Sequence, residues 1–254
     1  MRMDINCDMG ESFGAYRMGE DELIMPFVTS INIACGWHAG DPGVMAKTVR
    51  LAARYGVAVG AHPGYPDLLG FGRRTMETLP GEIKNYVIYQ IGALCGFLRE
   101  YGMRLQHVKP HGALYNLAAR DERTAGEIIS GVKAYDPDLI LVAPAGSFCA
   151  EMGVLAGLTV VREAFCDRAY LGNGHLAPRT VKGAVIHDPE KVRQRVLSLA
   201  RSGRLPTLEG GQIDLAAGTL CIHGDTAGAS RLAQTVRQAL EEAGVEVAPM
   251  GKRS

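Results

Sequence analysis

Short apolar runs alternate along the chain with longer amphipathic stretches. The apolar runs are rich in Val, Ile and Leu, and they predict strands over 2–6, 28–34, 57–61, 105–109, 139–143, 158–162, 219–223 and 245–248. Apolar residues at helical spacing predict helices over 41–55, 81–101, 121–135, 189–202 and 226–243. Strands that alternate with helices are typical of a parallel sheet covered by helices.

Helix boundaries and loops complete this picture. Asp41 and Pro42 suit the N-cap and first turn of a helix that Gly56 ends. The segments 164–188 and 203–218 are rich in glycine and show no clear helical pattern. We therefore expect one domain over residues 1–254, an irregular α/β structure of the β/α-barrel type with large loops. A doubly wound open sheet is the alternative architecture.

Polar and ionisable side chains recur where the predicted strands end. In a β/α barrel the carboxyl ends of the strands converge on one rim, where such enzymes carry out their chemistry. The sequence therefore predicts one polar pocket built from distant segments. Its candidate residues are Asn6, Asp8, Glu11, His38, His62, Arg73, Lys109, His111, Glu163, Asp167, Arg168, His223 and Asp225.

Several of these candidates have a structural alternative. Asp4, Asn6 and Asp8 alternate along the chain, so a strand would present all three on one face. That face could line the pocket, or the strand could be a solvated strand at the edge of a sheet. His107 is expected to be buried and hydrogen-bonded. Lys109 lies two residues later at the end of the same predicted strand, where its ammonium can polarise a carbonyl group or hold a phosphoryl oxygen. Asp41 fits a helix cap better than a catalytic group.

The segment around Glu163 reads as a turn with two carboxylates. Glu163 and Asp167 could divide acid and base roles if burial separates their pKa values, or they could form an ion pair with Arg168. Arg73 suits a carboxylate or a phosphate, whereas Arg74 fits a solvated surface position.

Composition narrows the function classes. The 27 basic and 27 acidic residues give no net charge, so no global field favours nucleic acid or an anionic membrane. The chain start has no secretory apolar region, and the six dispersed cysteines form no CxxC pair, which favours a reduced, cytoplasmic setting. The rim could hold a divalent metal, but no short ligand spacing demands one. No phosphate-loop pattern is present.

These residues resemble the LamB/YcsF family, which supplies the A subunit of bacterial ATP-dependent 5-oxoprolinase. The resemblance covers nearly the whole chain. It departs at Asn173, where the family is expected to carry Asp, and more mildly at Trp37, where Phe is usual. The blocks that carry it are residues 4–11, 32–42, 60–67, 70–74, 107–116, 163–168 and 222–225.

The resemblance implies a seven-stranded barrel akin to those of glycoside hydrolases and deacetylases. It also implies hydrolysis of 5-oxo-L-proline to L-glutamate, with ATP as co-substrate converted to ADP and phosphate. Subunits B and C of 5-oxoprolinase would be partners and could be the ones that bind ATP, and self-association into a homo-oligomer stays open. The alternative functions are a metal-dependent carbohydrate deacetylase and a non-catalytic regulatory subunit.

The type of each residue and its position on the rim suggest which role it would have in such a reaction. Lys109 would stabilise developing negative charge, and Asp8, Glu11, Glu163 or His111 would act as the base for water. Arg73 or the turn at 36–40 would hold the substrate carboxylate. The remaining residues assigned to substrate binding are Asn6, His38, His62, Asp167, Arg168, His223 and Asp225.

Overall fold

The computed structural model of the protein describes residues 1–224 and 228–251. Its strands are β1 (Arg2–Met9), β2 (Ser30–Ala34), β3 (Ala58–His62), β4 (Leu105–Val108), β5 (Ile140–Pro144), β6 (Thr159–Phe165), β7 (Arg204–Pro206), β8 (Gln212–Asp214), β9 (Thr219–Ile222) and β10 (Glu246–Val247). Its helices are α1 (Asp21–Ile24), α2 (Pro42–Tyr55), α3 (Glu82–Glu100), α4 (Gly112–Ala118), α5 (Glu122–Tyr135), α6 (Phe148–Leu155), α7 (Pro189–Ser202) and α8 (Ala229–Glu242), with a 3₁₀ turn at Met25–Phe27. Within these residues no helix is long and apolar enough to cross a membrane.

Seven parallel strands close into a barrel. The order is β1, β2, β3, β4, β5, β6 and β9, and β9 pairs back with β1 through Asn6 and Cys221. This closure confirms the predicted barrel, and the open-sheet alternative is wrong. The eighth predicted strand contributes only β10, which pairs with the start of β1 through Arg2 and Glu246 and lies outside the closure.

The predicted helices are present, with ends that differ by at most three residues. Asp41 caps α2 by accepting a hydrogen bond from the Val44 N–H, and Gly56 ends that helix in the left-handed conformation. The sequence pattern does not reveal α4 and α6, because each spans at most eight residues and is too short to repeat a helical pattern. It also does not reveal the β7–β8 hairpin within 203–218.

The two faces of the strands have opposite character. Outward-facing residues such as Ile5, Ile31 and Leu220 are buried in one continuous apolar layer beneath the helices. The inward face is polar: Asn6 donates hydrogen bonds to Glu163 of β6 and Thr219 of β9, contacts that require a shared lumen. β1 is therefore a buried barrel strand, and the solvated-edge alternative is wrong.

One end of the lumen is closed by hydroxyl groups around a carboxyl group. Asp4 accepts hydrogen bonds from Thr29, Ser30 and Thr219 at 2.7, 2.9 and 2.5 Å. Burial raises the pKa of Asp4 to about 6 despite these three donors. Asp4 thus belongs to the structural base of the barrel, away from its open mouth.

His107 fills the middle of the lumen. Its Nε2 lies 2.7 Å from the Asn32 Oδ1, and the ring sits directly over Gly60, where a Cβ would approach Nε2 to 2.1 Å. Only glycine leaves room for the ring. Burial, together with the nearby charge of Lys109, lowers the pKa of His107 to about 3.

We expect this neutral histidine to make stability depend on pH. The unfolded chain binds a proton at His107 near pH 6.5, whereas the folded chain does so only near pH 3. Stability is therefore lost as the pH falls below 6.5, at up to ~1.4 kcal/mol per pH unit from this group. Urea unfolding of His107→Gln should show a correspondingly shallower loss, because glutamine does not titrate. The exposed His187→Gln variant should follow wild type, and parallel curves for all three proteins would contradict this assignment.

Candidate functional site

A cavity of about 1060 Å³ opens at the carboxyl ends of the barrel strands. Many of the residues predicted from the sequence reach it. Asn6, His38, Glu163 and Asp167 do not line it and instead contact residues that do. Asp225 lies outside the described residues. The predicted residues on the cavity wall are Asp8, Glu11, His62, Arg73, Lys109, His111, Arg168 and His223.

Lys109 is the charged centre of the cavity floor. Its ammonium lies 3.0 Å from the Asp8 Oδ1 and 2.9 Å from the Glu163 Oε1. It also donates to the Asn6 Oδ1 at 3.2 Å and contacts the Cys221 Sγ at 3.0 Å. Four strands or strand ends therefore converge on one nitrogen.

The electrostatics keep the Lys109 ammonium and the Asp8 carboxylate ionised. Burial alone would lower the pKa of the Lys109 ammonium, but the carboxylates of Asp8 and Glu163 raise it well above its usual value. Burial would likewise raise the pKa of Asp8, yet His62 and Lys109 hold it well below its usual value. The floor thus holds a buried ammonium at a fixed position between two carboxylates.

Glu163 lies in a strand and not in a turn, which corrects the sequence analysis. β6 continues to Phe165, so the Glu163 side chain points into the lumen and is 1% exposed. Besides Lys109 and Asn6, it accepts a 2.5 Å hydrogen bond from the Tyr115 hydroxyl. Tyr115 is not among the site residues predicted from the sequence, although it stands in the densest polar block of the chain.

Asp167 and His223 form a pair beside this centre. The His223 Nδ1 lies 2.8 Å from the Asp167 Oδ2, so Nδ1 carries the hydrogen and Nε2 is left to exchange a proton. The ring stacks on Phe165 with 5.3 Å between centroids. Burial would raise the pKa of Asp167, but the charge and hydrogen bond of His223 hold it below its usual value. The expected ion pair with Arg168 is not the main contact of Glu163 or Asp167, which instead contact Lys109 and His223.

Three histidines and one carboxylate form a second group. One ligand atom from each of Glu11, His38, His62 and His111 lies within 4.8 Å of all the others, and all four residues are buried. Imidazole and carboxylate are donors that divalent transition metals accept. The sequence alone leaves metal binding undecided, and this cluster is consistent with a divalent metal.

The predicted arginines have different roles. The guanidinium of Arg168 is held by the backbone carbonyl groups of Ala177 and Ala184, and so fixes a loop as well as lining the cavity. Arg74 forms an ion pair with Asp67 while remaining largely exposed. Of the two candidates for holding a substrate carboxylate, only Arg73 lines the cavity.

The turn at 36–40 is therefore not supported as the carboxylate-binding segment. None of its residues lies among the cavity-lining residues, and Trp37 packs on Tyr86 and Tyr89. The adjacent helix start is already occupied, because the Asp41 carboxylate accepts hydrogen bonds from Val44 and Gly14.

Comparison with known proteins agrees with this arrangement. The family model described as LamB/YcsF family matches residues 3–254. The chain belongs to the LamB/YcsF family. A family member from Syntrophobacter fumaroxidans, named as the A subunit of 5-oxoprolinase, is 65% identical over 251 residues, covering 99% of both chains. Another of that name from Thermus thermophilus is 54% identical and covers 97% of this chain and 99% of its own.

A solved structure with about half of its residues identical to this chain has the same fold. The crystal structure of a lactam utilization protein from Thermus thermophilus is 52% identical, has a TM-score of 0.93 and covers 98% of this chain and 100% of its own. A structure from Enterococcus faecalis V583 at 14% identity and TM-score 0.52, covering 97% of this chain and 96% of its own, shares the fold alone.

We expect Lys109→Met to destabilise the protein by about 3–5 kcal/mol, because it leaves the carboxylates of Asp8 and Glu163 buried without a counter-charge. Chemical denaturation at pH 7 measures this loss. The matched control is Lys47→Met, which breaks an ion pair with Glu22 that is 63% exposed on both sides and should therefore cost much less than Lys109→Met. Equal losses for the two variants would contradict the assignment of Lys109 as a buried counter-ion.

Proposed function

We propose that this chain is the A subunit of an ATP-dependent 5-oxoprolinase, in which it carries out the ring opening of 5-oxo-L-proline to L-glutamate. The observation that carries the proposal is the buried Lys109 ammonium on the floor of an open cavity, in a chain whose relatives are named for that enzyme. Subunits B and C would be its partners, and the reaction would be coupled to conversion of ATP to ADP and phosphate.

The cavity suits an anionic substrate. Its volume of about 1060 Å³ exceeds what a five-membered ring needs, which leaves space for a transferred phosphoryl group. Planar guanidinium groups bind carboxylate and phosphate oxygens in pairs. The arginines on the cavity wall are Arg73, Arg120, Arg162, Arg168 and Arg179.

Lys109 supplies electrostatic stabilisation. A lactam resists hydrolysis because its nitrogen donates electron density to the carbonyl group, and phosphorylation of the carbonyl oxygen would make the carbon electrophilic. Water would then add to this carbon, the C–N bond would break as the ring nitrogen takes a proton, and a second water would hydrolyse the resulting acyl phosphate to L-glutamate and phosphate. The adjacent ammonium, fixed in place before the reaction, would stabilise the negative charge of the phosphoryl oxygens and of the carboxylate that forms. Asp8, Asn6 and Glu163 hold that ammonium by their contacts with it.

Proton transfer is best assigned to His223. When the C–N bond breaks, the ring nitrogen must gain a proton, and the attacking water must lose one. His223 lines the cavity, and Asp167 fixes its tautomer so that Nε2 is the nitrogen that exchanges a proton. Asp8 and Glu163 are less suited to act as the base, because Lys109 already engages both carboxylates.

ATP is assigned to the partner subunits in this proposal. The sequence carries no phosphate-loop pattern, and the arginines of the cavity wall suit phosphoryl oxygens without forming a recognisable nucleotide site. Subunits B and C would then activate the lactam, and this chain would receive the activated ring.

The direct test is reconstitution with the two partner subunits. We expect 5-oxoproline-dependent release of both glutamate and ADP when all three are present, and no glutamate when this chain is left out. Glutamate formation by the partners alone, at the full rate, would instead identify this chain as a non-catalytic regulatory subunit.

Variants of the Asp167–His223 pair test its role. His223→Gln should lower the rate of glutamate formation by roughly 100- to 10,000-fold, the contribution of a positioned acid or base. Asp167→Asn should have a smaller effect in the same direction, because it disturbs only the tautomer. His187→Gln, an exposed change ahead of α7, is the control. Unchanged glutamate production by correctly folded His223→Gln would remove this residue from the mechanism.

A metal-dependent hydrolase akin to carbohydrate deacetylases is the second candidate function. The cluster of Glu11, His38, His62 and His111 favours it. Release of acetate from an acetylated sugar, abolished by a chelator and restored by metal, would support this candidate. Chelator-insensitive glutamate formation in the three-subunit assay would argue against it.

A further inference from the structure

Two histidines of the barrel mouth direct lone pairs at each other. The His62 Nδ1 lies 2.7 Å from the Lys109 carbonyl oxygen, and the His111 Nε2 lies 2.8 Å from the Phe71 carbonyl oxygen. A carbonyl oxygen only accepts, so both of these nitrogens carry the hydrogen. The remaining nitrogens, His62 Nε2 and His111 Nδ1, are 3.0 Å apart. Two lone pairs at this separation repel each other unless a positive charge lies between or beside them.

His38 adds a third imidazole without a hydrogen bond. It is 0% exposed, and neither of its ring nitrogens has a hydrogen-bond partner among the described residues. Buried polar atoms of this kind call for an explanation such as a bound ion. The ring is held by packing: it stacks on His111 with centroids 3.7 Å apart, and Gly64 and Gly72 provide the space.

A carboxylate completes the group. The Glu11 Oε1 lies 3.7 Å from the His111 Nδ1 and 3.9 Å from the His38 Nε2. The ligand atoms of the group all lie within 4.8 Å of one another, whereas ligands at ~2.1 Å from one ion are at most ~4.2 Å apart, so binding an ion needs a closure of no more than roughly 0.6 Å. Both carbonyl groups behind His62 and His111 are the outer partners that metal-bound histidines usually have.

We propose that Glu11, His38, His62 and His111 bind a divalent transition-metal cation. Three imidazole nitrogens and one carboxylate oxygen favour zinc, cobalt or nickel over magnesium or calcium, which prefer oxygen ligands. Because His38 stacks flat on His111 with ring centroids 3.7 Å apart, ligation by His38 requires a rotation of its ring. Glu11, His62 and His111 also line the cavity, so the ion faces the space that a substrate would enter.

This inference rests on histidine geometry and holds whether or not the chain opens 5-oxoproline. Its competing explanation is a proton shared between the His62 Nε2 and the His111 Nδ1. A shared proton satisfies those two atoms but leaves both nitrogens of His38 without a hydrogen bond among the described residues.

Metal binding to the untagged full-length chain provides the test. After EDTA treatment and dialysis, titration with ZnCl₂ and elemental analysis should give one zinc per chain. CoCl₂ should produce the visible absorption of protein-bound cobalt. We expect His62→Ala and His111→Ala to weaken zinc binding by at least about 10-fold, with a smaller loss for His38→Ala.

Two further variants guard against indirect effects. Glu11→Gln preserves the side-chain shape and should still weaken zinc binding, whereas His187→Ala should bind zinc as wild type does. Wild-type protein that holds no stoichiometric zinc, or cluster variants that bind as tightly as His187→Ala, would overturn the proposal. If the metal-free chain does not bind zinc and its imidazole ¹⁵N signals are those of a shared proton, the competing explanation is correct. These readouts do not depend on glutamate formation, so either proposal can fail alone.

Discussion

The structure depends on an ion pair that is enclosed inside the barrel. The Lys109 ammonium lies within 3.0 Å of carboxylate oxygens from Asp8 and Glu163, and these side chains are almost completely buried. Removing charges from water is costly, and the cost is offset only when each charge is paired and its remaining hydrogen bonds are made. Asn6, Tyr115 and Asn32 make those bonds. A lumen filled this way gains less stability than an apolar one, and it positions charge for chemistry.

The apolar stabilisation comes from the other face of the same strands. Residues such as Ile5, Val59 and Leu141 pack outward beneath the helices, while polar neighbours in sequence, such as Asn6, point inward. Because successive side chains of a strand point to opposite faces, the same strand supplies apolar residues to the outer layer and polar residues to the lumen. The rigid outer layer can therefore hold Lys109, His223 and the histidine cluster at fixed positions around one cavity.

Much of this could be predicted from the sequence. Apolar runs and caps such as Asp41 locate the main strands and helices, and polar residues at strand ends, among them His62 and Lys109, identify the cavity wall. The periodicity does not reveal which way a side chain points or which distant residues it contacts. The strand pattern weakens at Arg162 and so predicts a turn at Glu163, and only the closure of β6 against β9 shows this side chain facing inward. The meeting of Glu11, His38 and His111 depends on the packing of three separate loops, which no local spacing encodes.

In the proposed reaction, the Lys109 ammonium is the point at which the lactam oxygen is recognised. A crystal structure of the chain with 5-oxo-L-proline bound tests this most directly. We predict that the ring lies in the barrel mouth, with its carbonyl oxygen about 3 Å from the Lys109 Nζ and its carboxylate directed at Arg73. A ring bound elsewhere, or bound in the cavity with its carbonyl oxygen turned away from Lys109, would contradict it.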